Sequence, residues 1–288
     1  MLYFRRGKFW KNLPLFFMLK TYLTIALLIS IAARSAAIEK YPSGARALSL
    51  SNAVVSIPDV WGTFHNQATL ANINSFSAGF FYESKFMTDE LSHAAATFVL
   101  PVKPGTFGFS FSQFGKGTYK EHQLGFAFAR LLGKKLAASL QFDYFAVRFP
   151  ENDRTRGFAT FEAGLLLQAS EQISFGVHLF NPVQAGIKTS GETQKMPGVV
   201  RFGGHYQFRE MVIIALEAEQ PFNGQMVIKS GIEFSPAKNL ALRFGVSGKP
   251  VNYTAGVGYR VGKIITDIGF GYHGNLGITP SISIQIEL

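Results

Sequence analysis

The residues best suited to chemistry are charged side chains that recur at alternate positions in the C-terminal half of the chain. Glu217 and Glu219 are two residues apart, so in a strand they share a face, and paired carboxylates serve general acid and base catalysis. No partnered nucleophile or cleft motif accompanies them, so we expect no catalytic residue and no enzyme activity. The charged residues predicted to share this face are Arg201, His205, Glu217, Glu219, Lys229, Glu233, Arg243, Arg260 and Asp267.

No other reactive or ligand-binding pattern stands out. The six His residues are scattered without the spacing of a metal site, and the chain has no cysteine. The stretch from Gly44 to Ala53 lacks the glycine spacing and the lysine of a phosphate-binding loop. We therefore expect neither a metal ion nor a cofactor.

The basic charge is concentrated at the N-terminus. The formal net charge is +10, but six of the 28 Lys and Arg residues lie in residues 1–37, which contain no acid. The remainder carries 22 basic against 18 acidic residues. Such a balance does not favour nucleic acid as a partner.

Residues 1–37 have the layout of a secretory signal peptide. After Met18 comes one lysine, then an apolar run, and then Ser35 and Ala37 at the −3 and −1 positions of a cleavage site. This predicts Ile38 as the first mature residue and favours Met18 as the true start, with an unusually long leading region as the alternative. An uncleaved anchor over residues 23–33 would be short for a bilayer.

The charged residues are predicted to lie on strands in which apolar and polar residues alternate. In residues 281–288 isoleucine or leucine alternates with Ser, Gln or Glu, and similar segments recur about fourteen times from residue 75 onward. Short turns alternate with longer connections, the longest being 150–156 and 182–196, as in outer-membrane barrels. We predict an all-β protein, a transmembrane antiparallel β-barrel of about 14 strands over residues 75–288. A soluble β-sandwich or propeller is the alternative, but only 16% of the residues are charged.

Residues 38–74 differ from the strands because they combine small residues, scattered apolar residues and a helix-cap candidate, Asp59. We predict that they form a plug segment in the periplasmic mouth of the barrel and regulate the lumen. The residues of the predicted plug motif are Gly44, Arg46, Ala47, Asn52, Asp59, Trp61, Asn66, Ala68 and Leu70.

On this motif the chain resembles the FadL-type barrels of Gram-negative bacteria, in particular the PorV/PorQ-like proteins of the Bacteroidetes lineage. The shared pattern is a Gly-x-Arg-Ala opening, a small-residue stretch, an Asp with an aromatic residue, and an Asn-Pro-Ala-x-Leu-like element. Gln67 stands where that family often has proline.

The resemblance implies a non-enzymatic protein in the outer membrane of a Gram-negative bacterium that binds or passes a client, with a link to type IX secretion. FadL-like transport of hydrophobic small molecules and a sealed structural barrel are the alternatives. The expected partners are outer-membrane lipid and the barrel-assembly machinery, together with secretion-system proteins or a hydrophobic ligand.

The charged residues have two interpretations. Opposite charges on neighbouring strands would pair across the ladder and brace a narrow lumen, which we favour, or they would line a path for a substrate or ion. Most aromatic residues, such as Phe109 and Phe126, are predicted to face lipid. Phe81, Phe145 and Phe180 are predicted to face inward.

Overall fold

The structure is a computed structural model and describes residues 40–149, 155–188, 193–248 and 251–288. The predicted signal peptide and Ile38 lie outside the described residues. Most of the described chain is β-strand. The strands are β1 (Ser77–Ser84), β2 (Ser92–Val102), β3 (Gly105–Phe114), β4 (Lys120–Leu131), β5 (Leu136–Arg148), β6 (Thr155–Gln168), β7 (Ile173–Phe180), β8 (Gly186–Lys188), β9 (Thr193–Lys195), β10 (Val199–Phe208), β11 (Val212–Pro221), β12 (Val227–Ala237), β13 (Leu240–Ser247), β14 (Asn252–Val261), β15 (Ile264–His273) and β16 (Gly277–Glu287).

Fourteen of these strands form one closed antiparallel barrel, which confirms the prediction. β7 pairs with β10, and β1 closes the barrel on β16 through a register that joins Ser77 to Glu287. β8 and β9 form a separate two-stranded hairpin. They lie within the long connection predicted over 182–196, and strands of three residues are too short to show an alternating pattern in the sequence.

The side-chain alternation gives the barrel an apolar outer face. In β16, Ile282 and Ile284 are exposed, whereas Ser281 and Ser283 are buried. The predicted lipid-facing Phe109 and Phe126 are likewise exposed, and Phe81, Phe145 and Phe180 are buried as predicted. A closed barrel satisfies its backbone hydrogen bonds without an edge, and this outer face matches a hydrocarbon surround. The protein is an outer-membrane β-barrel.

The two ends of the barrel differ. At one end the connections between strands are two to four residues long, such as 103–104 and 262–263, and β1 begins and β16 ends there. The opposite end carries longer connections, including 85–91 and 181–198. Since outer-membrane barrels have short periplasmic turns, we name these the periplasmic end and the outer end.

Residues 40–76, here called the N-terminal segment, precede β1. They contain a short helix, α1 (Ala45–Ser49), and 3-10 helices at Val60–Phe64 and Gln67–Asn72. The Asp59 carboxylate caps the first 3-10 helix by accepting from Trp61 N at 3.2 Å. Within the described residues, no helix is long and apolar enough to cross a membrane.

Inward-facing glycines of the barrel wall lie against the N-terminal segment. A Cβ built on Gly269 would lie 2.8 Å from the Ala45 carbonyl oxygen, and one on Gly79 would lie 2.9 Å from the Trp61 ring. Glycine is required there because any larger residue would push the segment away. The same contact with the segment is made by Gly108, Gly164, Gly176, Gly203, Gly231, Gly245 and Gly256.

The N-terminal segment extends further along the barrel than predicted. Tyr41 stacks on Phe114, at the outer end of β3, with 3.9 Å between ring centroids, whereas residue 76 precedes β1 at the periplasmic end. Placement in the periplasmic mouth alone is therefore wrong, because composition indicates a non-strand segment and not the path it takes. The plug role and the boundary at residue 74 stay predictions.

Candidate functional site

The first charged cluster joins the N-terminal segment to the periplasmic half of the wall. Arg46 donates through Nε and Nη2 to the two oxygens of Glu233, each at 2.8 Å, and through Nη1 to Asp59 at 3.0 Å. Burial opposes the charge, but the two carboxylates outweigh it and hold the pKa of Arg46 above its usual range. Arg243 also binds Glu233 and donates to Asp267 at 2.7 Å. Arg46 is thus held by a bidentate, charge-assisted contact, which is stronger than hydrogen bonds between neutral groups.

The second cluster lies nearer the outer end and centres on Glu162 of β6. Its carboxylate binds the Lys40 ammonium group and accepts from Gln67 Nε2 at 2.7 Å. The imidazole of His178 lies 2.7 Å from the same carboxylate. Burial lowers the pKa of Lys40, although Glu162 raises it. The cluster therefore fixes the start of the described segment to β6 and β7.

A third cluster lies on β10, β11 and β12. The Lys229 ammonium group is 2.6 Å from Glu219 and 3.5 Å from Glu217, and Arg201 Nε is 3.6 Å from Glu219. Glu217 also accepts from the backbone N–H of Val55 at 2.9 Å. This cluster also contacts the N-terminal segment, through one backbone hydrogen bond.

The structure does not bring the predicted charged residues into one network. Seven of the nine divide between the first and third clusters. His205 instead forms a hydrogen bond of 2.9 Å with Ser56. Arg260 pairs with Glu287 at 2.8 Å at the periplasmic rim, where both of these side chains are more than 40% exposed. The functional role of these residues stays a prediction.

The plug-motif residues shape the N-terminal segment itself. Gly44 has a φ of +104° under the Trp61 ring, and Asn66 Nδ2 donates to the carbonyl oxygens of Val55 at 2.7 Å and Leu165 at 3.1 Å. Gln67, the departure from the family pattern, supplies the hydrogen bond to Glu162. The remaining motif residues Ala47, Ala68 and Leu70 are buried, and Asn52 is half-buried.

Sequence reasoning missed the Lys40, Glu162 and His178 cluster. Its signal was Glu162, which is the only acid of β6 and lies on the inward face between Thr160 and Gly164. An acid on such a face requires a partner. That partner lies 122 residues away, so no local pattern identifies it.

Two of the cavities among the described residues lie on opposite sides of the N-terminal segment. The outer cavity, of about 260 Å³, is lined by apolar side chains together with Lys40, Arg201 and Glu219. The periplasmic cavity, of about 500 Å³, is polar and is bordered by Arg46, Asp59 and charged wall residues. The described part of the chain contains no group of three His, Asp or Glu side chains that could hold a metal ion. The apolar residues of the outer cavity are Phe180, Met196, Pro197, Val199 and Pro221.

No protein-family model matches the chain, and no curated protein matches it by sequence. Solved structures do share its fold. The CymD monoaromatic hydrocarbon channel superposes with a TM-score of 0.69 at 12% identity, over 88% of this chain and 99% of that chain. The Ralstonia pickettii toluene transporter TbuX gives 0.64 at 12% identity, over 85% and 98%. A Pseudomonas aeruginosa FadL homologue gives 0.60 at 10% identity, over 86% and 99%. The chain has the fold of FadL-type outer-membrane barrels.

Proposed function

We propose that the protein passes small hydrophobic molecules across the outer membrane and first binds them in the outer cavity. The observation that carries this proposal is the cavity itself, which places Phe180, Met196 and Val199 at the outer end of the lumen. Its volume of about 260 Å³ is near the lower limit of ligand pockets, so it suits a compact molecule. The descriptions of CymD and TbuX as a hydrocarbon channel and a toluene transporter support the same class of cargo.

In this proposal the N-terminal segment is the element that controls passage. It separates the outer cavity from the periplasmic one and is held by charged contacts at Lys40 and Arg46. Water can replace the partners in ion pairs and hydrogen bonds, so these contacts can break and re-form, whereas a covalent bond cannot. A molecule leaving the outer cavity would therefore advance when part of the segment shifts.

A bulky residue in the outer cavity tests the proposal. Val199 lines the cavity, whereas Val200, the next residue of β10, points outward. We expect Val199→Trp to lower toluene uptake by cells about tenfold, because the indole ring would occupy much of the cavity and weaken binding there by about 1.4 kcal/mol. Val200→Trp is expected to leave uptake unchanged.

The control for folding is the mobility of boiled and unboiled protein in a gel, which should be the same for both variants. Equal uptake by the Val199→Trp and Val200→Trp proteins would show that the outer cavity is not on the path, and the proposal would then fail.

We keep the handling of an exported client protein, linked to type IX secretion, as a second proposal. It is supported by the N-terminal motif from Gly44 to Leu70, and the β8–β9 hairpin offers a small contact surface at the outer end. Deletion of the gene is expected to release normally attached secreted proteins into the medium. An unchanged set of secreted proteins would contradict this second proposal, and the transport of hydrophobic molecules would then be the remaining one.

A further inference from the structure

A third cavity, here called the Glu83 cavity, lies at the outer end between the N-terminal segment and the strands β1 and β13 to β16. It has a volume of about 270 Å³ and shares no lining residue with the outer cavity. Hydroxyl and amide side chains make up much of its lining, together with the ring of Phe86. These hydroxyl and amide residues are Ser51, Asn52, Ser247, Asn252, Thr254 and Thr279.

Glu83 of β1 borders this cavity with a carboxylate that accepts no hydrogen bond from the described residues. Its side chain is only 4% exposed, and the nearest basic atoms are Lys85 Nζ at 3.9 Å and His93 Nδ1 at 3.8 Å. Both distances exceed the length of a hydrogen bond. Because buried carboxylates normally accept several hydrogen bonds, the oxygens of Glu83 are open to donors from a molecule in the cavity.

Three of the residues that border the Glu83 cavity have a left-handed backbone conformation. The φ angle is +52° at Ser51, +59° at Asn52 and +55° at Phe86. Asparagine adopts this conformation often, but a bulky residue such as phenylalanine does so rarely. Phe86 is held in place because its backbone N–H donates to Thr279 Oγ1 at 3.1 Å and its ring packs edge-on against His273. Conformations of this kind persist where the surroundings fix them, and they are frequent at ligand-binding sites.

The charges of the lining favour a neutral ligand. Of the described Asp, Glu, Lys and Arg residues, only Glu83 and Lys85 border the cavity, so their charges cancel. Glu83 therefore has a counter-charge nearby but lacks hydrogen bonds, and a neutral hydroxyl group supplies what is missing. A hydroxyl group also accepts from an amide such as that of Asn52. A molecule with several hydroxyl groups and an apolar C–H face matches both the polar lining and the ring of Phe86.

We propose that the Glu83 cavity binds a neutral saccharide of one or two sugar rings on the outer side of the membrane. Glu83 accepts hydrogen bonds from the sugar hydroxyl groups, and Phe86 packs against the C–H face of a ring. Asn52, the half-buried residue of the plug motif, contributes its side-chain amide. The volume of about 270 Å³ suits a ligand of this size, since it is near the lower limit of ligand pockets. The site is separate from the outer cavity and from the transport proposed there.

Saturation-transfer NMR with the protein in a sugar-free detergent tests the proposal. The probe is a mixture of glucose, galactose, mannose, N-acetylglucosamine and their disaccharides, and at least one of these is expected to receive saturation. We expect Glu83→Gln to weaken its binding about tenfold, because hydrogen bonds to a charged acceptor are stronger than those to a neutral one. Glu90→Gln is the matched control, since Glu90 is exposed in the 85–91 connection and does not border the cavity. It should bind like the unaltered protein.

A second variant, Asn52→Gly, removes one amide without altering Glu83. Glycine adopts the positive φ of this position without strain, so the backbone should stay in place. We expect the saccharide to bind about fivefold more weakly, as for the loss of one neutral hydrogen bond. Asn275→Gly, at an exposed position outside the cavity, is expected to leave binding unchanged.

The ligand is varied as well as the protein. Failure of every saccharide to receive saturation, or equal binding by the Glu83→Gln and Glu90→Gln proteins, would overturn the site. Binding of amino acids from a matched mixture in place of saccharides would overturn the assignment to a neutral sugar. The saccharide is also compared with a soluble polysaccharide that ends in the same unit. Tighter binding of the free form assigns a diffusing sugar as the ligand, and tighter binding of the polysaccharide assigns a surface glycan.

Discussion

Replacing Gly269 by valine is expected to make the barrel conduct ions. A Cβ at this position would lie 2.8 Å from both the Ala45 carbonyl oxygen and the Ser49 hydroxyl, so α1 could not stay against β15. Strand β15 itself would tolerate valine, which favours extended structure. With the N-terminal segment displaced, conductance in planar bilayers should rise at least about tenfold, since a barrel with an unfilled lumen holds water.

Gly271 provides the matched control for this substitution. It lies two residues further along β15, also faces inward, and its added Cβ would come no closer than 3.7 Å to any atom of Thr279. Gly271→Val is therefore expected to keep the conductance of the unaltered protein. Similar conductance of the two variants would mean that the segment does not close the lumen.

Replacing Arg46 by methionine is expected to have the largest effect on stability. Methionine retains much of the side-chain volume but leaves Asp59 without its 3.0 Å partner and deprives Glu233 of a bidentate contact. The side chains of all three residues are less than a fifth exposed, so water replaces these contacts only in part. We expect the free energy of unfolding, measured by urea titration in lipid vesicles, to fall by about 3 kcal/mol.

The control is Arg260→Gln at the periplasmic rim. Arg260 pairs with Glu287 at a similar distance of 2.8 Å, but both side chains are more than 40% exposed. Surface pairs of this kind contribute about 0–1 kcal/mol. If the two variants lost the same free energy, the buried position of Arg46 would have no part in holding the segment.

The barrel was predictable because each strand repeats the same two-residue period. A single strand such as β16 is a weak signal, but fourteen segments and the alternation of short and long connections constrain one another. The inward position of Glu233, Arg243 and Asp267 follows from that period alone. The period does not predict that these three residues form a cluster with Arg46, because the position of the N-terminal segment against the strands depends on tertiary structure.

The path of the N-terminal segment could not be predicted for a related reason. Its composition predicts a compact piece with a cap at Asp59, which the structure contains. Its contacts, from Lys40 to Glu162 and from Ala45 to Gly269, join residues more than a hundred positions apart. The glycines of the barrel wall are evident in the sequence, but glycine in a strand also occurs at bulges and bends. The sequence alone therefore did not predict that these glycines all contact the N-terminal segment.

The closure of β1 on β16 has a consequence for the order of assembly. Ser77 pairs with Glu287, so the seam of the barrel joins the residues of the wall that are furthest apart in the chain. Contacts of such high sequence separation form late, because a long loop must close first. The glycine-lined wall would then fold around the N-terminal segment before β1 pairs with β16. The segment would therefore act as a template for the shape of the barrel.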